Sequence, residues 1–172
     1  FLLAGMFEHH DRSRFETMAI AFGDDDPSEI RTRLKGAFEH FIDVNNRSDL
    51  EVARLLRERE VDIAVDLMGH TQFCRMGILA LRPAPVQVNF FCPGTSGADY
   101  LDYIICDRVV IPEEHQVHYT EKVVYLPDTF QANDSQRRIA EHTPSRAEVG
   151  LPDEGFVFCS FNNTYKFTPA MF

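Results

Sequence analysis

The segment Pro93–Gly97 has the composition of a loop that lets backbone atoms approach a ligand closely. This glycine loop consists of Pro93, Gly94, Thr95, Ser96 and Gly97. Two glycines flank two small hydroxyl residues, so amide and hydroxyl groups can face a ligand with little side-chain bulk between them. A simple surface turn has a similar composition, and the five residues alone do not separate the two interpretations.

A lysine near the end of the chain has surroundings that suit an anion. Lys166 follows a predicted strand, Phe156–Phe161, and precedes Thr168 and Pro169, which are a typical N-cap residue and first-turn proline of a helix. A helix N-terminus and a neighbouring ammonium group both attract negative charge. Lys166 is therefore a candidate for binding a phosphate-bearing ligand, and a solvent-exposed lysine without a ligand is the alternative.

A general base is harder to assign than an anion site. His70 follows a predicted buried strand, Val61–Leu67, and an imidazole titrates near neutral pH. Asp128 and Thr129 follow another predicted strand, Lys122–Leu126. The histidines do not combine with acidic residues at a spacing typical of metal ligands, so we expect no metal site.

Alternating strand and helix patterns must position these residues. The alternation is typical of βαβ units, and it predicts an α/β fold with a Rossmann-like parallel sheet. Ligand sites in such sheets lie beyond the carboxyl ends of the strands. We expect one cleft to receive the segments that follow strands directly, which are the turn at His70, the glycine loop, Asp128 with Thr129, and Asn163–Lys166. The other predicted elements are strands at Phe15–Phe22, Phe41–Val44, Val86–Phe90 and before Asp107, a helix that opens at Pro27, a helix capped by Ser48 with Glu51, and a short helix from Pro112 to His118.

Composition limits the class of partner. The chain has 172 residues, with 27 acidic and 17 basic side chains and a net charge of −10. Nucleic-acid binding needs clustered Lys and Arg, so this charge argues against nucleic acid as a partner. Apolar runs are too short to span a membrane. The four cysteines form no C-x-x-C pair, which argues against a disulfide or zinc framework and favours a reducing cytoplasm.

Several segments together resemble one enzyme family. The run Arg82–Asp107, which contains the glycine loop, resembles the catalytic region of the O-linked N-acetylglucosamine transferases and their bacterial relatives. Further similar segments occur in the same order along the chain, at Asp66–Thr71, Thr120–Lys122, Val124–Phe130, and from Gly150 to Lys166.

The resemblance implies an architecture. The family has two Rossmann-like lobes that face each other across a cleft, the GT-B arrangement. This chain then contains most of the N-terminal lobe in residues 1–130, a linker in residues 131–150, and the first strand and helix start of the C-terminal lobe in residues 151–172. Both ends are expected to continue in a longer protein, with the rest of the second lobe downstream. Upstream we expect tetratricopeptide (TPR) repeats of about 34 residues.

The resemblance also implies a reaction. The family moves N-acetylglucosamine, with inversion, from UDP-GlcNAc to Ser or Thr hydroxyls of a protein or peptide acceptor, without a cofactor or metal. By position in the motifs, Lys166 is the catalytic, phosphate-contacting residue, and Asn163 stands where better-known relatives have glutamine for donor binding. The glycine loop is the active-site loop, and His70, Asp128 and Thr129 are possible cleft residues. Alternatives are a non-catalytic Rossmann-like binding module and a GT-B transferase with another donor or acceptor.

Overall fold

The computed structural model describes residues 2–92, 94–161, 163, 166, 168 and 169. The chain divides into a first unit, Phe1–Gln136, and a second unit, Arg137–Phe172. The helices and strands are, in chain order, α1 (Ala4–Glu8), β1 (Met18–Ala21), α2 (Glu29–Ala37), β2 (His40–Asp43), α3 (Asp49–Glu58), β3 (Ile63–Asp66), α4 (Met76–Ala80), β4 (Val86–Phe90), β5 (Tyr103–Cys106), a 3-10 helix (Glu113–His118) and β6 (Lys122–Tyr125).

The strands form two parallel sheets. One contains β1 and β2, and the other contains four strands in the order β3-β4-β5-β6. Each pairing in the larger sheet is parallel, with Val65 opposite Val88 and Ile105 opposite Val124. The predicted Rossmann-like α/β class is therefore confirmed. The carboxyl ends of β3, β4, β5 and β6 share one edge of the sheet.

Helix caps explain where two of the helices begin. Ser48 and Glu51 form the predicted capping box, because the Glu51 amide donates to Ser48 Oγ and the Ser48 amide donates to the Glu51 carboxylate. The prediction that Pro27 opens α2 is wrong by a small margin. Ser28 is the N-cap, its hydroxyl oxygen accepts the Arg31 amide at 3.3 Å, and the helix starts at Glu29. A capped start satisfies an amide that would otherwise lack a partner.

One face of the four-stranded sheet packs against its own connections. Ala64 packs with Leu79, Ala84 and Leu101, and a separate cluster joins buried residues of β5 with Ile111. On the opposite face Val88 and Phe90 of β4 are buried, whereas Ile63 and Val65 of the edge strand β3 are 56% and 49% exposed. The prediction of a buried strand at Val61–Leu67 is therefore wrong for alternate residues, because β3 is an edge strand of this sheet and one of its faces is left exposed.

An arginine joins the first two helices to the segment after β6. The Arg33 guanidinium forms a bidentate pair with Glu8 of α1 at 2.7 Å, and it contacts the Asp134 carboxylate at 2.5 and 3.0 Å. Hydrogen bonding to Arg33 lowers the pKa of Asp134 to about 2. The first residues of the predicted linker 131–150 are therefore attached to the first unit.

The second unit forms no strand in residues 156–161, where the sequence predicts one. The side chains of Phe156, Phe158 and Phe161 are exposed, the last of them at 98%. A single strand is stable only with hydrogen-bonded neighbours, and these six residues have no pairing partner in the described part of the second unit. The predicted strand is therefore not formed here, and the assignment of residues 151–172 to a second lobe stays a prediction.

Candidate functional site

The turn after β3 is held by the aspartate that ends the strand. Asp66 accepts the amides of Met68 at 3.2 Å and of Gly69 at 2.7 Å. Gly69 has a φ of +52°, a conformation that side chains with a Cβ rarely adopt. This tight turn places His70 at the carboxyl edge of the sheet.

The chain leaves β4 through a residue with unusual backbone geometry. Phe91 has a φ of +77°, which is rare for a bulky residue. Its ring lies 6.4 Å from that of Phe130, and the next side chain, Cys92, donates its thiol to the Met68 carbonyl at 3.2 Å. Burial raises the pKa of the Cys92 thiol, with a further contribution from Asp66. Pro93 lies outside the described residues.

Polar side chains from neighbouring strands bind the backbone of the glycine loop. The Asn89 amide group donates to the Gly94 carbonyl at 3.1 Å, and His70 Nε2 contacts the Ser96 carbonyl at 2.8 Å. A carbonyl oxygen can only accept, so Nε2 carries the proton, and in a neutral imidazole Nδ1 then carries the lone pair. The structure thus brings His70 and the glycine loop together, as the sequence predicted.

A buried glutamate binds the same loop from the start of β6. Glu121 is 4% exposed, and its carboxylate accepts the Thr95 hydroxyl at 2.7 Å, the Ser96 amide at 2.7 Å and the Thr120 hydroxyl at 3.0 Å. Burial alone would raise the pKa of Glu121. The hydrogen bonds from Ser96 and Thr95 outweigh burial, and the pKa is lowered.

The two glycines of the loop face open space. Among the described residues, no atom lies within 4 Å of where a Cβ atom would stand at Gly94 or Gly97. Gly97 also has a φ of +66°, whereas Gly94 does not have a positive φ. Close packing against the described residues therefore does not explain the glycine at position 94, and the role of this loop as an active-site loop stays a prediction.

A second aspartate organises the turns after β5 and β6. Asp107 accepts the amides of Val109 and Val110 at 2.9 Å and of Phe130 at 2.8 Å. Asp128 and Thr129 are exposed in the turn that Phe130 ends, at the same edge of the sheet as His70. Their roles as cleft residues stay predictions.

The predicted donor-binding residues lie in the second unit. Lys166 and Asn163 are exposed, and the Lys166 amide donates to the Asn163 carbonyl at 3.0 Å. The helix expected after Pro169 falls outside the described residues. The roles of Lys166 and Asn163 therefore stay predictions.

The sequence did not reveal the three buried polar groups that shape this edge, Asn89, Asp107 and Glu121. Asn89 and Gln87 occupy the polar positions of an alternating strand, which normally face solvent. Here the loop connection covers them, and Gln87 Nε2 donates to the carbonyls of Leu79 and Tyr100. Glu121 lies in the segment Thr120–Lys122, which resembles the family, but nothing in that segment predicts that its carboxylate binds the glycine loop.

Two kinds of feature do not occur in the part of the chain that is described. No group of three His, Cys, Asp or Glu side chains is placed to hold a metal ion. No helix there is long and apolar enough to cross a membrane. The four cysteines are free thiols, with Cys106 buried and Cys159 exposed.

Comparison with known proteins gives matches over most of the chain. Residues 1–144 match the model of glycosyl transferase family 41. The chain is 34% identical, over 99% of its length, to the probable UDP-N-acetylglucosamine–peptide N-acetylglucosaminyltransferase SEC of Arabidopsis thaliana, of which the match covers 18%. It is 36% identical, over 78% of its length, to the UDP-N-acetylglucosamine–peptide N-acetylglucosaminyltransferase of Caenorhabditis elegans, of which the match covers 12%.

A solved structure agrees with these matches. A mutant of the O-GlcNAc transferase of Thermobaculum terrenum superimposes with a TM-score of 0.72 and 31% identity, over 76% of this chain and 25% of that one. The chain therefore spans only a small part of the length of these relatives.

Proposed function

Because this chain belongs to glycosyl transferase family 41, we propose that it is part of the catalytic region of an enzyme that transfers N-acetylglucosamine from UDP-GlcNAc to Ser or Thr hydroxyls of proteins or peptides. The observation that carries the proposal is the family match over residues 1–144. The relatives named above are transferases of this kind by name. Those names favour a transferase over a non-catalytic Rossmann-like binding module.

The geometry of the first unit supports a ligand site at the carboxyl edge of its sheet. The glycine loop lies beside His70, and its two glycines leave open space. Small residues at such a position let a sugar or an acceptor backbone come close to amide and hydroxyl groups. We propose that Pro93 and Thr95, as members of this loop, line the site. Asp128 and Thr129 would line it from the same edge of the sheet.

We assign the charge chemistry to Lys166. The leaving diphosphate gains negative charge as the glycosidic bond breaks, and a preorganised ammonium group stabilises that charge. Asn163 would contact the donor with its side-chain amide. The reaction is proposed to need no metal ion and no cofactor.

In the proposal, the two ring nitrogens of His70 have different roles. Its Nε2–H donates to the Ser96 carbonyl and supports the loop. Only Nδ1 of the neutral ring then has a lone pair that could accept a proton. We therefore propose that the main role of His70 is to hold the glycine loop through its hydrogen bond to Ser96.

We also propose that this chain is part of a longer protein. The matches cover a fifth or less of the curated relatives' length, which leaves room for upstream TPR repeats and a completed second lobe. Free thiols and an acidic charge fit a cytoplasmic protein that binds neither nucleic acid nor membrane.

Transfer of labelled sugar tests the proposal. The protein that contains this chain is incubated with labelled UDP-GlcNAc and a Ser/Thr-containing acceptor, beside parallel reactions with other nucleotide sugars. We expect label on acceptor hydroxyls with UDP-GlcNAc. Label only from another donor would support the alternative transferase, and donor binding without any transfer would contradict an active enzyme. We expect the isolated 172 residues to transfer no sugar in this assay.

A further inference from the structure

We propose that Glu121 is a positioning residue for the glycine loop, and that the loop reaches its working position only while this carboxylate holds it. The inference rests on the proposed function, because the loop is taken as part of the transferase site. Glu121 lies in the strand-initiating segment Thr120–Lys122, outside the loop and outside the residues assigned to ligand binding.

The contacts of Glu121 divide between its two oxygens. Oε1 accepts the Ser96 amide at 2.7 Å, and Oε2 accepts the hydroxyls of Thr95 at 2.7 Å and Thr120 at 3.0 Å. These bonds connect the loop between β4 and β5 to the first residue before β6. The loop is thereby attached to a strand two places away in the sheet order.

Ser96 is held on both of its backbone groups. Its amide donates to Glu121, and its carbonyl accepts from His70 Nε2 at 2.8 Å. Two residues earlier in the loop, the Gly94 carbonyl accepts from the Asn89 side-chain amide. The loop backbone is therefore fixed from the inner side, while Gly94 and Gly97 face open space.

The hydrogen-bond directions favour a carboxylate at position 121, because its neighbours in the loop are donors. Thr95 Oγ1 accepts the amides of Gly97 at 3.2 Å and Thr120 at 3.3 Å, and it also lies 3.2 Å from the Thr120 hydroxyl. The shorter contact of the Thr95 hydroxyl is to Glu121 Oε2, at 2.7 Å, and the Thr120 hydroxyl donates to the same oxygen at 3.0 Å. A glutamine of the same shape with its NH₂ group at the Oε2 position would put donor against donor, and turning the amide would put the same conflict at the Ser96 amide.

A fixed loop matters because small displacements at a reacting centre are costly. A misplacement of about 1 Å can lower a rate by about a hundredfold. A site residue is accurate only when a supporting group holds it. Glu121 acts on the reaction through the loop and does not itself need to touch the substrate.

The variant Glu121→Gln tests this in the full-length protein, with Glu114→Gln as the matched control on the exposed surface of the 3-10 helix. Hydrogen exchange of the backbone amides is measured at Ser96 and Gly97, which report on the order of the loop, and at Ile104, which reports on the core. We expect exchange at Ser96 to become at least about tenfold faster while Ile104 stays protected. We expect kcat/KM for transfer to fall by about 10- to 100-fold, with UDP affinity unchanged. Glu114→Gln should behave as wild type in all three measurements.

The other outcomes overturn the inference or separate it from the proposed function. Wild-type exchange at Ser96 or wild-type kcat/KM in Glu121→Gln would remove Glu121 as a positioning residue. Loss of protection at Ile104 together with loss of UDP binding would make Glu121 a general stabilising residue instead. If the wild-type protein transfers no sugar, the proposed function fails, and the exchange at Ser96 alone decides whether Glu121 holds the loop.

Discussion

Gly69 and Cys92 are in direct contact across the carboxyl edge of the sheet. A Cβ atom at Gly69 would lie 2.9 Å from Cys92 Cβ and 3.1 Å from its Sγ. The contact joins the turn after β3 to the segment after β4, and the Cys92 thiol bonds to Met68 of the same turn. The turn that carries His70 and the segment that leads into the glycine loop therefore pack directly against each other.

Gly69→Ala should lower the melting temperature. The alanine Cβ would overlap Cys92, and φ at +52° disfavours any side chain, so we expect a loss of about 1–3 kcal/mol in unfolding free energy. Gly36→Ala is the matched control in α2. No described atom lies within 4 Å of its Cβ position, and a helical Gly→Ala change gains about 0.5–1 kcal/mol. Equal melting temperatures for both variants would contradict the close packing at Gly69.

Gly94→Val should reduce transfer without unfolding the protein. The position has room and no positive φ, so valine would occupy the space assigned to a ligand. Gly97→Val adds a backbone cost of about 1–3 kcal/mol, because its φ is +66°. Activity and thermal melts are measured together for both variants. A collapsed melt in Gly94→Val would show that the glycine there is structural.

Lys166→Ala should lower kcat more than it weakens donor binding. The charge on the diphosphate grows towards the transition state, so the lost interaction is strongest there. Removing one such group commonly costs about a hundredfold or more in rate. Lys166→Arg should recover part of the rate, since the guanidinium keeps the charge but differs in shape. An unchanged kcat in Lys166→Ala would exclude this residue from the mechanism.

Asp107 should make stability depend on acid pH. The amides of Phe130 and then Val110 are the main groups that lower the pKa of this carboxyl. A lowered folded-state pKa gives stability that is present above the unfolded pKa of about 3.9 and is lost as pH falls through the folded value. Asp107→Asn should therefore be less stable than wild type near neutral pH, with the difference shrinking on acidification.

Urea denaturation from about pH 7 to about pH 3 measures that difference. Asp24→Asn, at an exposed position in an acidic cluster, is the control. A difference between wild type and Asp107→Asn that stays constant over the whole range would show that ionisation of Asp107 does not stabilise the fold.

Local patterns predicted much of the first unit. The alternation from Val86 to Phe90 gave β4 with the observed bounds, and the Ser48 cap gave the start of α3. The contact of His70 with the glycine loop followed from parallel strands sharing one edge. The helix α4 was missed, since it is short and its N-cap, Arg75, makes no capping bond.

Other features depend on contacts between distant parts of the chain. Gln87 and Asn89 are buried because the loop connection folds over them, which alternation cannot show. Glu121 gains its importance from donors about 25 residues earlier in the chain. The segment 156–161 has strand-like composition, but composition does not supply the neighbours that a strand needs.

The order of the four strands has a consequence for how the protein is made. Each strand pairs with the next one in the sequence, across connections formed by residues 67–85, 91–102 and 107–121. Short separations between partners keep contact order low and loop-closure entropy small. Both neighbours of β4 and both neighbours of β5 are synthesised within this stretch, so the sheet can grow strand by strand as the chain leaves the ribosome. The edge that carries the glycine loop can then be in place as soon as β6 and its preceding glutamate have emerged.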